Sequence, residues 1–439
     1  MCGRSPNSPT VSRNDDAARS RLAIRLTRRI GAASFASAPE STDMWPRLIA
    51  FALAVILAPA SALADDAREK IAALAPTGLV LVVDAAGNEL VAQNVDDPFI
   101  PASVAKIVTA WLAMEVLGGD YRFQTRFYLD DRRVLYVRGG GDPFLTSEEL
   151  ARLAARLVAA VGKAPLSGIV IDGSYYPPNL RIPGVEDTDE AYNAANAALA
   201  VNFNTVYAVR SGDKVRSAEK QTPITPLAIA EFRERAASGS GRISLRGDSS
   251  VSLQYAGEMI AAFIQRAGGR VNGDITIGAA PPGLKPVYVH AQSRPLSKIL
   301  VELLRVSNNY IANQVFLEIG GHRLGGPVSL GKSLEVANEM LAAHGLAEGI
   351  HLEEGSGISR DDRFTARGLA RVLALFAPYA GLLRGHDGGK NKTGTMDGIS
   401  TLAGYANTAT HGQVRFVIAL ATNDGEMRFR LLRAIESGL

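Results

Sequence analysis

Ser103 and Lys106 stand three residues apart in PASVAKIVTAWLAMEVLG, at the start of an apolar-periodic stretch. Three positions along a helix bring both side chains to one face, so an amine meets a hydroxyl. A serine hydroxyl is a poor nucleophile until a base removes its proton. A lysine acts as that base near neutral pH only where burial and a neighbouring cation lower its pKa. Two later segments supply what this chemistry needs. RVSNNYIANQVFLEIG brings Ser307, Asn308 and Asn309 to the head of another helix, with Ser307 a candidate proton relay to a leaving amine and Asn309 a polar orienter. NKTGTM brings Lys392, Thr393, Gly394 and Thr395 ahead of the strand-like GISTLAGYA. Lys392 is the candidate neighbouring cation, and with the Thr393 and Thr395 hydroxyls it suits a substrate carboxylate. Gly394 would let the strand backbone approach a substrate closely. The oxyanion of acyl transfer needs backbone N–H donors, for which those of Ser103 and Thr395 are candidates. Taken singly, each residue has a plainer role as a helix cap, surface lysine or turn. Three such segments in this order outweigh that reading.

The elements that must position these groups are legible in outline. TGLVLVVDAAGNELVAQN (77–94) reads as two strands joined by a turn around Ala85-Ala86-Gly87-Asn88. The helix carrying Lys106 buries one face through Ile107, Trp111 and Met114, with Ala110 and Ala113 between. RRVLYVRGGGDPFLTSEELARLAARLVAAVG reads as a strand, a Gly-rich turn and a helix opened at Thr146. GIVIDGSYY (168–176) is a strand, 177–198 an acidic loop and 211–249 a polar stretch. Residues 291–439 hold several helices and the apolar strand VRFVIALATND. Mixed elements with hairpin-like pairs predict an α+β architecture, an antiparallel sheet flanked by helices.

Of the 439 residues, 47% are hydrophobic and 21% charged, which describes a folded chain with a large core. From Met44 the text carries one Arg, an apolar run Leu48–Ala58 and the small residues Ala62-Leu63-Ala64. This predicts a signal peptide over 44–64, cleaved before Asp65, in a chain whose translation starts at Met44. Residues 1–43, Arg- and Ser-rich, then form a non-native upstream extension. Eight basic and four acidic residues fall in 1–64, leaving 39 against 40, so no nucleic-acid footprint remains. Cys2, the single cysteine, leaves with the leader and excludes thiol catalysis. Beyond it no apolar run is long enough for a membrane anchor. The C-terminal GEMRFRLLRAIESGL suits a short amphipathic helix packed on the core.

Some apparent motifs lead elsewhere. GPVSLGKS, Gly326–Ser333, matches G-x-x-x-x-G-K-[ST], but a phosphate loop should follow a buried parallel strand and here follows a helix. No nucleotide is expected, and Lys332 and Ser333 should start a surface helix. His290, His322, His344, His351, His386 and His411 lack paired-ligand spacing, so neither metal nor other cofactor is expected. RGGGDP (138–143) suits a tight strand-to-helix turn better than an anion nest.

Ser-x-x-Lys, a Ser-x-Asn motif and Lys-Thr-Gly together are the signature of serine β-lactamases and penicillin-binding proteins, and Ser-Asn-Asn here keeps the outer positions. From about residue 77 to 425 the chain resembles the class C low-molecular-mass penicillin-binding proteins, D-alanyl-D-alanine carboxypeptidases/endopeptidases of peptidase family S13. The resemblance rests on Ser103-Val-Ala-Lys106, VRGGGDPFLTSEEL, ALAVNFNTV, VSNNYIANQVF, EGSGISRDDRFT and NKTGTMDGISTLAGY. It implies a penicillin-binding-protein/β-lactamase-like transpeptidase domain over 65–127 and 291–439, interrupted by a large insert at 128–290. The activity implied is that of a periplasmic serine DD-peptidase, with peptidoglycan stem peptides as substrate and β-lactam antibiotics as covalent inhibitors. By the same resemblance Arg360 takes the free carboxylate of a peptidoglycan side chain, and Asp187 and Tyr192 fall in that subsite. A catalytically silent peptidoglycan-binding protein and a β-lactamase are the alternatives on this fold. The chain departs from the family in its short 211–249 segment, in Val306 beside the second motif and in an acidic loop poor in aromatics.

Overall fold

The computed structural model describes residues 68–235, 238–246, 248–386 and 388–439, all within the unit Pro59–Leu439. The expected extension, the signal peptide and Cys2 lie outside the described residues.

The predicted hairpin forms β1 (Leu79–Val83) and β2 (Glu89–Gln93). Its turn is tied by Asp84, whose carboxylate accepts the Asn88 N–H at 2.8 Å, and Gly87 supplies the positive φ of +98°. These strands join β13 (Arg384–His386), β14 (Gly389–Met396), β15 (Ile399–Thr408) and β16 (Gly412–Leu420) in the order β13-β14-β15-β16-β1-β2. Every pairing is antiparallel. Alternate residues of β1 serve opposite faces, as the strand period requires. Leu79, Leu81 and Val83 meet the core around α2 (Ala105–Val116), α7 (Asn309–Leu324) and α9 (Ala366–Phe376). Val80 and Val82 meet a second layer with the helix α1, which covers 68–74, and α10 (Met427–Gly438). The C-terminal helix therefore packs on the core through Leu431, Leu432 and Ile435. Helix α2 runs through the centre, and every residue from Ala105 to Ala113 is buried. The stripe read from its sequence understated this, because a central helix needs no polar face.

A second sheet, β10 (Pro286–Ala291)-β3 (Gln124–Leu129)-β4 (Val134–Arg138)-β5 (Gly168–Asp172)-β9 (Ile275–Ile277), is mixed. Its β4–β5 and β5–β9 pairs are parallel. Helices α3 (Ser147–Val161) and α5 (Ser249–Arg266) cover it with Leu150, Leu153, Leu157, Met259 and Ile260. The boundary expected after 127 falls inside β3, whose partners are β4 and β10, so the chain enters this sheet a few residues earlier. The glycines after β4 serve close packing. A Cβ on Gly139 would lie 2.2 Å from the Ala198 carbonyl oxygen, and one on Gly140 the same distance from that of Gln124.

The stretch 211–249 is polar in sequence yet ordered into elements. Strands β6 (Thr205–Ser211), β7 (Lys214–Ser217) and β8 (Gly239–Ser244) pair as β7-β6-β8. With α4 (Pro226–Arg235) they bury Ala228, Phe232 and Ile243 in the core of the second sheet. Gly326–Ser333 links α7 to α8 (Leu330–Ala343). Lys332 Nζ donates to the carbonyls of Gly325 and Pro327 at 2.8 and 2.9 Å, which occupies the group a phosphate would need. Ser333, expected on a surface helix, is wholly buried, its hydroxyl donating to the Leu317 carbonyl.

Candidate active site

Ser103 lies in a 3-10 turn, Ala102–Val104, that runs directly into α2. Ala102 before it holds a φ of +48°, and Ser307, between α6 (Leu296–Val306) and α7, holds +58°. A left-handed non-glycine residue costs about 1–2 kcal/mol. Two of these conformations therefore flank or carry the candidate serines, where packing on all sides holds them. Helix α7 is capped by Asn308, whose side chain accepts the Ile311 N–H at 2.9 Å. That cap aims the next residue, Asn309, at α2.

Lys106 Nζ, wholly buried, makes three contacts: Ser103 Oγ at 2.8 Å, Asn309 Oδ1 at 2.7 Å and the Ser356 carbonyl oxygen at 2.7 Å. The Asn309 amide is oriented by its other end, since Nδ2 donates to the Tyr192 carbonyl at 3.2 Å. Burial, then the nearby Lys392 charge, lowers the Lys106 pKa to about 7, against the pull of Glu354 and Asp362. The protonation state follows from the contacts. An amide oxygen and a carbonyl oxygen only accept, so a neutral amine places its two N–H bonds on Asn309 and Ser356. Its lone pair then faces the one partner able to donate, the Ser103 hydroxyl.

The third segment forms β14. Lys392 is buried, its Nζ donating to the Thr393 carbonyl at 2.7 Å. Burial and the Arg428 guanidinium lower its pKa to about 8. A Cβ on Gly394 would sit 3.0 Å from Ser103 N, 2.8 Å from the Pro101 carbonyl oxygen and 2.2 Å from Thr401 Oγ1. The glycine thus lets β14 close on the Ser103 turn itself, a tighter demand than the approach to substrate read from the sequence. The Thr401 hydroxyl seals the contact by donating to the Pro101 carbonyl at 2.8 Å.

Arg360 is exposed, and its Nη2 donates at 2.9 Å to the carbonyl of Asp397, just beyond β14. Tyr192 presents an exposed ring next to the second segment, its carbonyl bonded to Asn309. Asp187 lines a cleft of about 610 Å³ with Arg181, Asn193 and Arg246. Its carbonyl accepts from Arg246 at 3.4 Å.

Two groups escaped the sequence reading. Arg428 on α10 is buried, and its Nη1 donates to the Gly394 carbonyl at 2.6 Å and to Thr395 Oγ1 at 2.9 Å. With a lone pair so occupied, the Thr395 O–H points away from the guanidinium and is left to donate. An arginine on a helix that otherwise reads as amphipathic gave no signal of this. The other is the loop 354–359, whose carbonyl at Ser356 completes the Lys106 environment. Among the described residues no cluster of His, Cys, Asp and Glu is placed to hold a metal ion. No helix among them is long and apolar enough to cross a membrane.

A serine hydroxyl, a buried amine and a lysine-bearing strand meet on this fold, the arrangement that a serine acyl-transfer site of the penicillin-recognising kind requires. The profile of the D-Ala-D-Ala carboxypeptidase 3 (S13) family matches residues 61–244 and 240–382, and the chain belongs to that family. It is accordingly a serine-type D-Ala-D-Ala peptidase. A D-alanyl-D-alanine carboxypeptidase of Actinomadura sp. (strain R39) is 26% identical over 90% of this chain and 88% of its own length. Penicillin binding protein 4 of Haemophilus influenzae superposes with a TM-score of 0.68 at 19% identity, covering 84% of this chain and 97% of that one. The same Haemophilus influenzae protein complexed with a β-lactam superposes at 0.63 and 20% identity, with the same coverage.

Proposed function

We propose that Ser103 is the nucleophile and that neutral Lys106 is its base. Lys106 Nζ takes the hydroxyl proton as Ser103 Oγ bonds to the carbonyl carbon of the D-Ala–D-Ala bond. The oxyanion is held by the backbone N–H groups of Ser103 and Thr395. The C–N bond then breaks, and D-Ala leaves with a proton passed through Lys106 and Ser307, while Asn309 keeps the amine oriented. Water hydrolyses the resulting ester and restores Ser103. Lys392, Thr393 and Thr395 bind the terminal carboxylate, with Gly394 allowing the strand to lie close. Arg360, with Tyr192 and Asp187 further out, faces the stem-peptide side chain. A crosslink between D-Ala and diaminopimelate is cut by the same steps. A β-lactam acylates Ser103 in the same way and stays, because its leaving group remains tethered. The work is done after export, beyond the leader ending at Ala64.

The contact that carries this reading is Lys106 Nζ between Ser103 Oγ and two obligate acceptors in a dry pocket. The test is release of D-Ala from purified pentapeptide-bearing wall fragments. The wild-type protein is expected to release it and Ser103→Ala to release none. Equal release by both would refute the assignment.

A further inference from the structure

The geometry points to Glu354 as a positioning residue for acylation: it folds the 355–359 loop so that the Ser356 carbonyl takes one Lys106 N–H, and it supplies a negative charge facing Lys106. This rests on Lys106 being the base.

Glu354 is wholly buried and forms the hub of the loop. Its Oε2 accepts the Ser356 N–H at 2.7 Å and Asn313 Nδ2 at 2.8 Å, and its Oε1 accepts the Ile358 N–H at 2.7 Å. A carboxylate taking that many N–H bonds imposes a tight curl on the chain around it. The curl turns the Ser356 carbonyl away from the hub and toward Lys106. Asn313, one turn after Asn309 on α7, also accepts the Gly355 N–H at 2.8 Å. The Thr109 hydroxyl, on α2, donates to the Gly355 carbonyl at 2.6 Å. One helix therefore fixes the loop and, through Asn309, the amine.

The two glycines beside Ser356 show how closely the loop is seated. A Cβ on Gly355 would lie 2.4 Å from Phe316 Cβ. One on Gly357, whose φ is +75°, would lie 2.0 Å from the carbonyl oxygen of Ala102, the residue before the nucleophile. The loop is thus clamped between α7 and the Ser103 turn. Its position is the position of the lysine's third partner.

The charged groups facing Lys106 are Lys392 from β14 and Glu354 and Asp362 from this loop and its flank. Burial and the charge of Glu354 both push the Asp362 carboxyl well up from its usual range. Glu354 holds two backbone N–H groups and the Asn313 amide, donors that suit a carboxylate. An anion stabilises the Lys106 ammonium, so its removal should lower the pH at which the amine becomes available.

The test is the second-order rate of labelling by a fluorescent penicillin, measured on the full chain from about pH 5 to about pH 10. Glu354→Gln should slow labelling about tenfold and move the acid limb to lower pH. Glu354→Asp keeps the charge but shortens the reach, so it should slow labelling with the limb unmoved. A Glu354→Gln limb that stays put or moves upward overturns the inference, as does a wild-type rate. Should Glu354→Gln not fold, Asn313→Ala frees the loop with the charge retained and is expected to slow labelling; a wild-type rate there also overturns it. Wild-type protein that fails to label at all would instead sink the role of Ser103, so the two failures are distinct.

Discussion

Two ionisable side chains closed to solvent in this chain are treated in opposite ways. Glu149 on α3 accepts His290 Nε2 at 2.9 Å, Arg152 Nη1 at 2.9 Å, and the Ser293 N–H and hydroxyl at 2.8 and 2.6 Å. Burial pushes its carboxyl up, but these hydrogen bonds outweigh that and hold its pKa at about 2. Lys106 also has three partners, yet its pKa falls to about 7 because burial and a second lysine oppose the charge. The number of contacts does not separate a structural ion from a reactive one. What separates them is whether the surroundings favour the charged form. Around Glu149 every hydrogen-bond partner donates; around Lys106 burial and the Lys392 charge outweigh the pull of Glu354 and Asp362.

The contrast can be broken most severely at the reacting atoms. Ser103→Ala should abolish covalent labelling by penicillin and cut D-Ala release by about 10⁴-fold or more, with the fold intact by circular dichroism. Lys106→Met should lower the labelling rate by about 10³-fold, the worth of a positioned base. Its thermal stability should stay the same or rise by about 1 kcal/mol, since a buried ammonium is replaced by an apolar chain. Glu149→Leu should do the reverse. Labelling of the folded protein should be near wild type, while stability in urea falls by about 3 kcal/mol because His290 and Ser293 lose their buried partner. If Lys106→Met and Glu149→Leu destabilise equally, the distinction fails.

Smaller effects sharpen it. Lys392 holds Lys106 down, so Lys392→Met should move the acid limb of acylation to higher pH as well as weakening carboxylate binding. In the wild type, neutral Lys106 is lost below about 7 and charged Lys392 is lost above about 8. D-Ala release should therefore follow a narrow bell, its two apparent pKa values belonging to the coupled pair. Arg428→Ala should raise KM for the peptide several-fold with little change in kcat, because it frees the Thr395 hydroxyl to turn inward.

The chemistry of the site was legible in the sequence wherever it sits in short spans. Ser103 and Lys106 share a helix turn, and Lys392 through Thr395 share a strand, so spacing alone relates them. The antiparallel sheet was legible as well, from short runs joined by a turn such as 77–94. What spacing could not convey is which distant backbone completes the pocket. Ser356 reaches Lys106 across 250 positions, and Arg428 reaches Gly394 from a different layer. Both depend on tertiary packing that leaves no local period. The 211–249 segment was hidden for a different reason. Its few apolar residues, such as Phe232 and Ile243, are spaced too widely to register, yet they fall on one side once the short strands pair.

Acylation of the wild-type protein by penicillin, followed against pH beside Lys106→Arg, tests the neutral-amine base most directly. The rate should climb toward a plateau with an acid midpoint near 7, while Lys106→Arg, which keeps the charge and cannot give it up, should be slower by about 10³-fold at every pH. A wild-type rate with no acid limb near neutrality, or an arginine variant that labels as fast as the lysine, would contradict it.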